Sequence, residues 1–355
     1  MLQSILKAYG LSAAQCRITP FGSGLINHTW KVEAPGARDY ILQQINQDVF
    51  LQPGDIALNI SALAAYLRRH APGYLFPEPL AAVNGATLVQ DGKGYFRLMP
   101  FIGPSVVYDV VDSPAKAYEA ARQFGRFTRL LEGFPTQELR ITLAGFHDLS
   151  LRQAQFETAL LEGDPARIAA SAESIAQVRQ FHDIVTTFEH IRQDPQFKLR
   201  VTHHDTKISN VLFDEQGQGL CVIDLDTVMP GYFISDLGDM LRTYLSPVTE
   251  EEADFSKITI RDAYFSAIME GYLSEMKHSL TWAELQHLVY AGRFMIYMQA
   301  LRFLTDHLNN DRYYGARYEG HNLVRANNQL VLLQQLSAKE AAFKEMIRQT
   351  LQTPA

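Results

Sequence analysis

The spacing of apolar side chains divides the sequence into a β-rich beginning and a helical remainder. Alternating residues around a Gly- and Pro-containing turn predict a hairpin from residues 28–32 and 38–45. A second hairpin is predicted from residues 87–90 and 95–99. Between the two hairpins, residues 56–67 carry apolar side chains at helical spacing. The first hundred residues are therefore predicted to be mostly strands and turns, with one helix.

Beyond this region the helical period dominates. Pro100, Gly103 and Pro104 punctuate the chain, and we place a lobe boundary there. Residues 1–102 are then an N-terminal lobe, and residues 103–355 are a C-terminal lobe. Six segments of the second lobe have apolar residues at three- and four-residue spacing: 115–131, 151–161, 168–191, 258–273, 282–308 and 323–351.

One segment of the second lobe breaks the helical pattern. Short apolar runs at residues 211–213 and 220–223, joined by a Gly-containing turn, predict a β-hairpin. An antiparallel hairpin returns the chain to its starting point. Asp205 and Asn210, before the first strand, are therefore expected to lie beside Asp224, after the second.

Composition and charge narrow the possible classes of function. The chain has 355 residues, of which 47% are hydrophobic, and its 32 basic and 39 acidic side chains give a net charge of −7. An acidic balance argues against a nucleic-acid partner. The sequence contains neither an apolar run of the roughly 18 residues that a membrane helix needs nor a signal peptide at its start. We therefore expect a cytoplasmic protein with no membrane partner, and infer no obligate protein partner.

The two cysteines do not suggest a further site. Cys16 and Cys221 are far apart in the sequence and have no metal-ligand or redox spacing. Cys221 lies within an apolar run, which is typical of a small core residue. Neither a disulfide framework nor a zinc site is predicted.

The side chains around the predicted hairpin at residues 211–223 are those that phosphoryl transfer uses. An Asp can accept the proton of the attacking hydroxyl, and an Asn with a second Asp can hold magnesium against the phosphates. Magnesium prefers hard oxygen ligands of this kind. Taken singly, such residues are also typical of loops and capped turns. Their order across one hairpin favours the catalytic interpretation.

The string His203-x-Asp205-x-Lys207-x-x-Asn210, followed by Asp224, resembles the catalytic and metal-binding loops of the protein-kinase-like superfamily. The resemblance is strongest to its aminoglycoside phosphotransferase and choline kinase-like family, and it covers nearly the whole chain. It implies an α+β, bilobal fold with a small β-rich N-lobe and a large, mostly helical C-lobe. It also implies an ATP- and Mg²⁺-dependent small-molecule kinase. Asp205 would be the catalytic base, Lys207 would reach the transferred phosphate, Asn210 and Asp224 would bind magnesium, and His203 would hold the loop in shape.

The resemblance also implies a nucleotide site in the first lobe. The Gly-rich turn Phe21-Gly22-Ser23-Gly24, which precedes the first predicted hairpin, lies where the family has its phosphate-covering loop, and glycines let the backbone approach anionic oxygens closely. The segment after residue 98 lies where the backbone binds the nucleotide base. Asn27 is either a contact to the triphosphate or a brace for the turn. The expected nucleotide contacts are Gly22, Ser23, Gly24, Asn27, Met99 and Phe101.

The sequence departs from the kinase pattern on the strand that follows the Gly-rich turn. Where the family usually has a phosphate-anchoring Lys or Arg, this chain has Gln43 or Gln44. The acidic partner of that cation is also missing, because residues 56–67 contain no acidic side chain. Asp226 is either a further metal ligand or the cap of the next turn. A nucleotide-binding pseudokinase is therefore an alternative, although the base and both metal ligands are present.

Several strings resemble the N-acetylhexosamine 1-kinases of the same family, namely residues 40–50, 221–231, 302–308 and 320–323. They imply that the anomeric hydroxyl of an N-acetylhexosamine or a related sugar is phosphorylated. A kinase of another small alcohol, of the aminoglycoside, choline or homoserine type, is the alternative. Arg302 and Tyr313, together with Asp205, would bind the sugar. Arg302 could instead pair with Asp306 one helical turn later. The segment around Asp236 is expected to form a turn that braces the catalytic loop.

Overall fold

The computed structural model describes residues 2–22, 24, 26–36, 38–92 and 94–352. The chain divides into two compact units, which are described separately here. Unit 1 consists of Met1–Val107, Leu130–Ala144 and Asn210–Pro230, and unit 2 of Tyr108–Arg129, Gly145–Ser209 and Gly231–Ala355. The lobe boundary after residue 102 stays a prediction.

Unit 1 is built on a five-stranded antiparallel sheet of order β1-β2-β3-β5-β4. Its strands are β1 (Arg17–Pro20), β2 (His28–Glu33), β3 (Tyr40–Ile45), β4 (Val89–Asp91) and β5 (Gly94–Pro100). Alternate residues of the central strands, such as Leu42 and Leu98, form the core together with Ile5 and Leu6. Because these side chains share one buried face of the sheet, apolar residues recur at every second position of the strands.

Unit 1 contains one helix that the sequence analysis predicted and one that it missed. The predicted helix is α2 (Pro53–His70), and the missed helix is α1 (Leu2–Ala8). Only Ile5 and Leu6 of α1 are buried. A seven-residue helix with two buried positions is too short to show a period, so the expectation of a single helix in this region was wrong.

The predicted hairpin is present in unit 1 as β7 (Val211–Phe213) and β8 (Gly219–Val222). Val211 pairs with Val222, and the pairing is antiparallel. Cys221 is fully buried there, as expected of a core residue. A 3-10 turn, Leu225–Thr227, follows the hairpin.

Unit 2 and its connections are mainly helical. The helices are α3 (Pro114–Leu130), α4 (Leu149–Glu162), α5 (Pro165–Ala170), α6 (Ala172–Gln180), α7 (Asp183–Gln193), α8 (Phe233–Tyr244), α9 (Asp262–Met276), α10 (Trp282–Gln286), α11 (Leu288–Leu308), α12 (His321–Ala338) and α13 (Glu340–Gln352). Two short strands are β6 (Arg200–Thr202) and β9 (Met229–Gly231). The helix α11 is apolar on nearly every side, and it is buried against α8 and α12. Among the described residues, no helix combines the length and apolar character needed to cross a bilayer.

The predicted α+β class is confirmed, with corrections to single elements. The predicted helix at 168–191 is divided into α5, α6 and α7, and the helix at 323–351 into α12 and α13. The turn expected around Asp236 was wrong, because this residue lies inside α8. Burial of Phe233, Leu237 and Leu241 at helical spacing outweighs the turn signal of the intervening Gly and Asp residues.

Candidate active site

Asp205 lies in the loop after β6, and two carboxylates of α8 fix this loop within unit 2. The Asp236 carboxylate accepts hydrogen bonds from the backbone N–H groups of residues 203 and 204, at 2.9 and 2.7 Å. Asp239, one turn later, accepts from the N–H of Thr206 at 2.8 Å. Side chains three positions apart lie on the same face of a helix. The brace expected of Asp236 is therefore present, and Asp239 is a second one that the sequence analysis missed.

Burial changes the acidity of the first of these carboxylates. Desolvation raises the pKa of Asp236 to about 7, and the charges of Asp239 and Asp205 act in the same direction. The two backbone N–H groups oppose the rise, because they favour the ionised form. Asp236 is thus a buried acid whose proton is lost near neutral pH.

His203 has the contacts of a scaffold residue. It is fully buried, and its ring packs edge-on against Phe124 and Phe127 with centroid distances of 5.2 and 6.1 Å. Its Nδ1 accepts the backbone N–H of Asp205 at 3.4 Å. These contacts shape the loop around Asp205 and fit the role that the family resemblance implies.

The next residue, His204, has a left-handed backbone, and its ring packs closely against a distant glycine. Its φ of 67° lies in the left-handed region, which side chains other than Gly, Asn and Asp seldom adopt. Its Nδ1 lies 3.1 Å from the carbonyl oxygen of Thr202. A Cβ atom added at Gly231 would lie 2.5 Å from Nε2 of His204. A side chain at position 231 would therefore displace the ring of His204.

The side chains of Asp205 and Lys207 form an ion pair in this loop. Nζ of Lys207 lies 3.1 Å from Oδ1 of Asp205, and the side chains are 54% and 23% exposed. The charge of Asp205 raises the pKa of Lys207. The loop thus presents a partly exposed carboxylate beside a cation, which is the pair of groups expected to receive a proton and contact a phosphate.

Asn210 and Asp224 flank the β7–β8 hairpin in unit 1. The N–H of Ile223 donates to the carbonyl oxygen of Asn210 at 2.8 Å, which extends the strand pairing by one step. Asp224 follows with a left-handed backbone, φ 60° and ψ 61°. The backbone therefore places Asn210 and Asp224 at the same end of the hairpin. Asp205 belongs to unit 2, and its convergence with them stays a prediction.

The donors at this end of the hairpin fit magnesium. An amide oxygen from Asn210 and a carboxylate from Asp224 are hard ligands, and magnesium usually takes only one or two carboxylates from the protein. Among the residues that the structure describes, no group of three His, Cys, Asp or Glu side chains is arranged to hold a metal ion. The assignment of Asn210 and Asp224 as metal ligands stays a prediction.

Asp226, two residues after Asp224, is engaged in the interior of unit 1. Its Oδ1 pairs with Nη1 of Arg97 on β5, and its Oδ2 accepts from Nδ2 of Asn27 at 2.8 Å. Asp226 and Arg97 are only 1% and 3% exposed. The two roles weighed from the sequence were metal ligand and turn cap. The observed contact is instead a buried ion pair.

Gln43 lies opposite Arg97 in the β3–β5 pairing. Its Oε1 accepts from Nε and Nη2 of Arg97 at 3.0 and 2.7 Å, and its Nε2 donates to Oγ1 of Thr29 at 3.1 Å. Gln43 is therefore an acceptor for the arginine. The neighbouring strand β5 carries a buried cation at this level of the sheet, which the sequence pattern did not reveal.

There is free space around the backbone of the Gly-rich turn at its described glycines. Gly22 has a φ of 80°, and a Cβ added at Gly22 or Gly24 would meet no atom within 4 Å. Asn27 accepts the backbone N–H of Asn46 at 3.0 Å with its Oδ1. Because both ends of the Asn27 amide bind protein groups, the structure favours its bracing role. Ser23 lies outside the described residues.

The expected base-binding segment lies at the end of β5. Met99 pairs with Ile41 of β3. The N–H of Phe101 donates to the carbonyl oxygen of Asp39 at 2.9 Å, and its ring contacts Phe21 edge-on at 6.0 Å. The nucleotide contacts expected of Met99 and Phe101 stay predictions.

Arg302 and Tyr313 line one cavity of about 440 Å³ in unit 2. The guanidinium of Arg302 donates to Oε1 of Gln299 at 3.3 Å and to the hydroxyl of Tyr313 at 3.5 Å. It also lies within 6 Å of the ring centroids of Phe146, Tyr313 and Tyr314. The structure thus brings together two of the three residues predicted to bind the sugar.

The alternative ion pair between Arg302 and Asp306 is not formed. Asp306 accepts the backbone N–H groups of Tyr313 and Tyr314 at 2.7 and 2.9 Å, and Nδ2 of Asn322 at 3.1 Å. Arg302 forms no ion pair with any carboxylate that the structure describes. Asp306 therefore shapes the loop that carries the two tyrosines, and the charge of Arg302 faces aromatic rings.

A second guanidinium, from Arg152 of α4, lines the same cavity. It donates to the carbonyl oxygen of Gly145 at 2.9 Å and to Oε1 of Gln155 at 3.0 Å, and its buried Nε has no hydrogen-bond partner among the described residues. Burial and the charge of Arg302 lower the pKa of Arg152. The sequence analysis missed Arg152, because one Arg on an amphipathic helix gives no local signal.

The antiparallel sheet, the Gly-rich turn and the braced Asp loop are features expected of a phosphotransferase. The model of the phosphotransferase enzyme family matches residues 17–273 of this chain. The match spans more than half of the sequence, and the chain belongs to this family.

Solved structures show the same fold. An aminoglycoside phosphotransferase from Alicyclobacillus acidocaldarius is 14% identical and has a TM-score of 0.65, over 98% of this chain and 96% of that chain. The amicoumacin kinase hAmiN, in complex with AMP-PNP, Ca²⁺ and Ami, is 15% identical with a TM-score of 0.61, over 94% and 92% of the chains. A microcompartment-associated aminopropanol kinase is 17% identical with a TM-score of 0.64, over 97% and 98%. At these identities the likeness concerns the fold.

Proposed function

We propose that the protein transfers the γ-phosphoryl group of ATP, with Mg²⁺, to the anomeric hydroxyl of an N-acetylhexosamine or a related neutral sugar. The family is that of phosphotransferases, while the donor, the metal and the acceptor belong to the proposal. A structural relative was solved with AMP-PNP and Ca²⁺, which supports a nucleotide donor with a divalent cation.

The chemistry follows from groups of this chain. The hydroxyl oxygen of the acceptor attacks the γ-phosphorus, the bond from phosphorus to the β–γ bridging oxygen breaks, and ADP leaves. Asp205 orients the hydroxyl and accepts its proton, and Lys207 contacts the transferred phosphoryl group. Asn210 and Asp224 hold magnesium, which when bound neutralises phosphate charge.

The cavity with two guanidiniums is the observation that carries the choice of acceptor. Arg302 and Arg152 share this cavity, and neither has an ion pair with a described carboxylate. A cationic aminoglycoside or choline would meet like charge there. A sugar hydroxyl or an acetamido oxygen would instead accept hydrogen bonds from the planar N–H groups of arginine. The cavity therefore disfavours a cationic acceptor and fits an oxygen-rich one such as a sugar.

A screen of ADP release tests this proposal. The sharpest pair of acceptors is N-acetylglucosamine and glucosamine, because they share a ring and differ at one nitrogen, which is acylated in the first and cationic in the second. We expect turnover with N-acetylglucosamine or N-acetylgalactosamine and little with glucosamine, choline, homoserine or an aminoglycoside. Phosphorus NMR should show the product phosphate on C1.

Two other results of the screen would favour a different function. Phosphate on C6, or turnover confined to choline, homoserine or an aminoglycoside, would contradict the anomeric sugar kinase and favour a kinase of another alcohol. Stabilisation by Mg²⁺ and nucleotide, with no ADP release from any acceptor, would favour the pseudokinase.

A further inference from the structure

The guanidinium of Arg97 joins separate parts of unit 1. Its Nη1 pairs with Asp226, while Nε and Nη2 donate to Gln43 at 3.0 and 2.7 Å. Asn27, just after the Gly-rich turn, donates to the second oxygen of Asp226 at 2.8 Å. Both carboxylate oxygens of Asp226 are thus engaged, in a residue that is 1% exposed. This network fixes Asp226 against the sheet.

Asp226 belongs to the turn that carries the candidate metal ligand. The 3-10 turn Leu225–Thr227 begins directly after Asp224, whose backbone is left-handed. The far end of the turn is held separately, since Nδ2 of Asn59 donates to the carbonyl oxygen of Val228 at 3.0 Å. The buried ion pair of Asp226 therefore holds the part of the turn next to Asp224, where the backbone conformation is least favourable.

A buried ion pair contributes little net stability to a turn. Desolvation offsets much of the attraction, and a well-packed apolar pair often stabilises as much. What the guanidinium adds is direction, because its planar fork fixes angles as well as distances. Groups that orient metal ligands strongly affect metal affinity. The geometry of this turn matters most at Asp224.

We propose that Arg97 is a positioning residue for the metal site. Through Asp226 it holds the turn so that the carboxylate of Asp224 is directed toward the metal that accompanies the nucleotide. The inference rests on the proposed function, because it takes Asp224 as a metal ligand. Arg97 is itself 3% exposed, so no contact with nucleotide or acceptor is involved.

Calorimetric titration with AMP-PNP, once with Mg²⁺ and once with EDTA, tests the inference without turnover. Arg97→Met should weaken binding of the magnesium complex about 10-fold, which is the low end for loss of a group that orients a metal ligand. Binding of metal-free AMP-PNP should stay within about twofold, because Arg97 does not contact the nucleotide. Arg97→Lys, which keeps the charge but cannot bind Gln43 through two N–H groups, should lie between wild type and Arg97→Met.

A matched control separates positioning from general stability. Arg200 forms a comparable buried ion pair with Glu284 in unit 2, with side chains 5% and 0% exposed. Arg200→Met should lower the melting temperature as Arg97→Met does, but leave the ratio of the two AMP-PNP affinities at its wild-type value. Asp224→Ala should remove most of the gain in affinity that Mg²⁺ provides.

The outcomes separate the two proposals. If the wild type binds AMP-PNP no better with Mg²⁺ than with EDTA, the proposed function and this inference both fail. If Mg²⁺ increases the affinity of the wild type for AMP-PNP, and increases that of Arg97→Met and Arg97→Lys by the same factor, only the role of Arg97 is overturned. An equal loss in the folded Arg200→Met control would also overturn it, and Arg97→Lys provides the measurement if Arg97→Met does not fold.

Discussion

Two arginines, one in each unit, have guanidinium groups in opposite environments. Arg97 in unit 1 is buried, paired with Asp226 and hydrogen-bonded to Gln43. Arg302 in unit 2 is partly exposed, lies among aromatic rings and forms no ion pair with a described carboxylate. The first charge is satisfied by the protein itself. The second charge has aromatic and neutral polar neighbours, and we propose that it binds the acceptor.

The contrast indicates what each arginine contributes. Loss of one partner from a buried pair leaves an uncompensated charge in the interior, so the protein becomes less stable. Loss of a partly exposed charge that forms no ion pair should remove little stability and, on the proposed function, should weaken ligand binding instead. The predictions below test this division, in order of decreasing effect.

The largest effect is expected at Asp205. Its carboxylate is partly exposed and, like Arg302, is proposed to contact a ligand. Asp205→Asn should lower kcat by about 10²–10⁴-fold, because the variant cannot accept the proton of the acceptor hydroxyl. Affinity for AMP-PNP with Mg²⁺ should stay near the wild-type value in calorimetry. Retained turnover would remove Asp205 from the mechanism.

The next largest effect is the difference in the stability lost when each of the two arginines is replaced. Arg97→Met should cost about 3–5 kcal/mol in the free energy of unfolding, because Asp226 remains buried and unpaired. Arg302→Met should cost under about 1 kcal/mol, since it breaks no ion pair. Urea unfolding measures both. The double variant Arg97→Met with Asp226→Leu should recover most of the loss, and equal losses in the two single variants would contradict the comparison.

Arg302 should matter for the acceptor alone. Arg302→Ala should lower kcat/KM for the sugar by about 10–100-fold, as expected for lost hydrogen bonds from a charged donor. The KM for ATP should be nearly unchanged in steady-state kinetics. A loss of ATP affinity would show that the acceptor site is not at Arg302.

Counted per pH unit, the smallest effect concerns two carboxylates: Asp226 is paired with a cation, whereas Asp236 accepts from backbone N–H groups and lies near other acids. The folded pKa of Asp236, about 7, is above its usual value of 3.8. The folded state therefore binds more protons between these values, and the contribution of Asp236 to stability falls as pH rises from about 4 to 7, by at most about 1.4 kcal/mol per pH unit. Asp236→Asn should lack this slope. Urea unfolding at pH 5 and pH 8 would contradict the assignment if wild type and variant changed in parallel.

The sequence predicted the parts of the site that depend on local pattern. The hairpin that brings Asn210 and Asp224 to one end follows from two apolar runs and a turn, and Arg302 and Tyr313 lie close together in sequence. Arg97 and Asp226 are far apart along the chain, and no periodicity links them. Their pairing depends on tertiary contact between the turn Leu225–Thr227 and strand β5, which short-range spacing does not encode.

The helix α8 was missed for a different physical reason. Its Gly238 and the acids on either side are typical of turns, but in the folded protein these acids bind backbone N–H groups of the loop at Asp205. The polar residues are thus used for tertiary contacts inside a helix. Local propensity is outweighed there by burial.

The close approach of His204 to Gly231 has an evolutionary consequence. Because a Cβ at position 231 would lie 2.5 Å from Nε2 of His204, a side chain at 231 requires a smaller residue at 204. A substitution at 231 alone would disturb the loop beside Asp205, whereas a smaller residue at 204 creates no such overlap. In natural relatives or in a randomised library under selection for turnover, substitutions at 204 and 231 should therefore be inherited as a pair, with the change at 204 arising first.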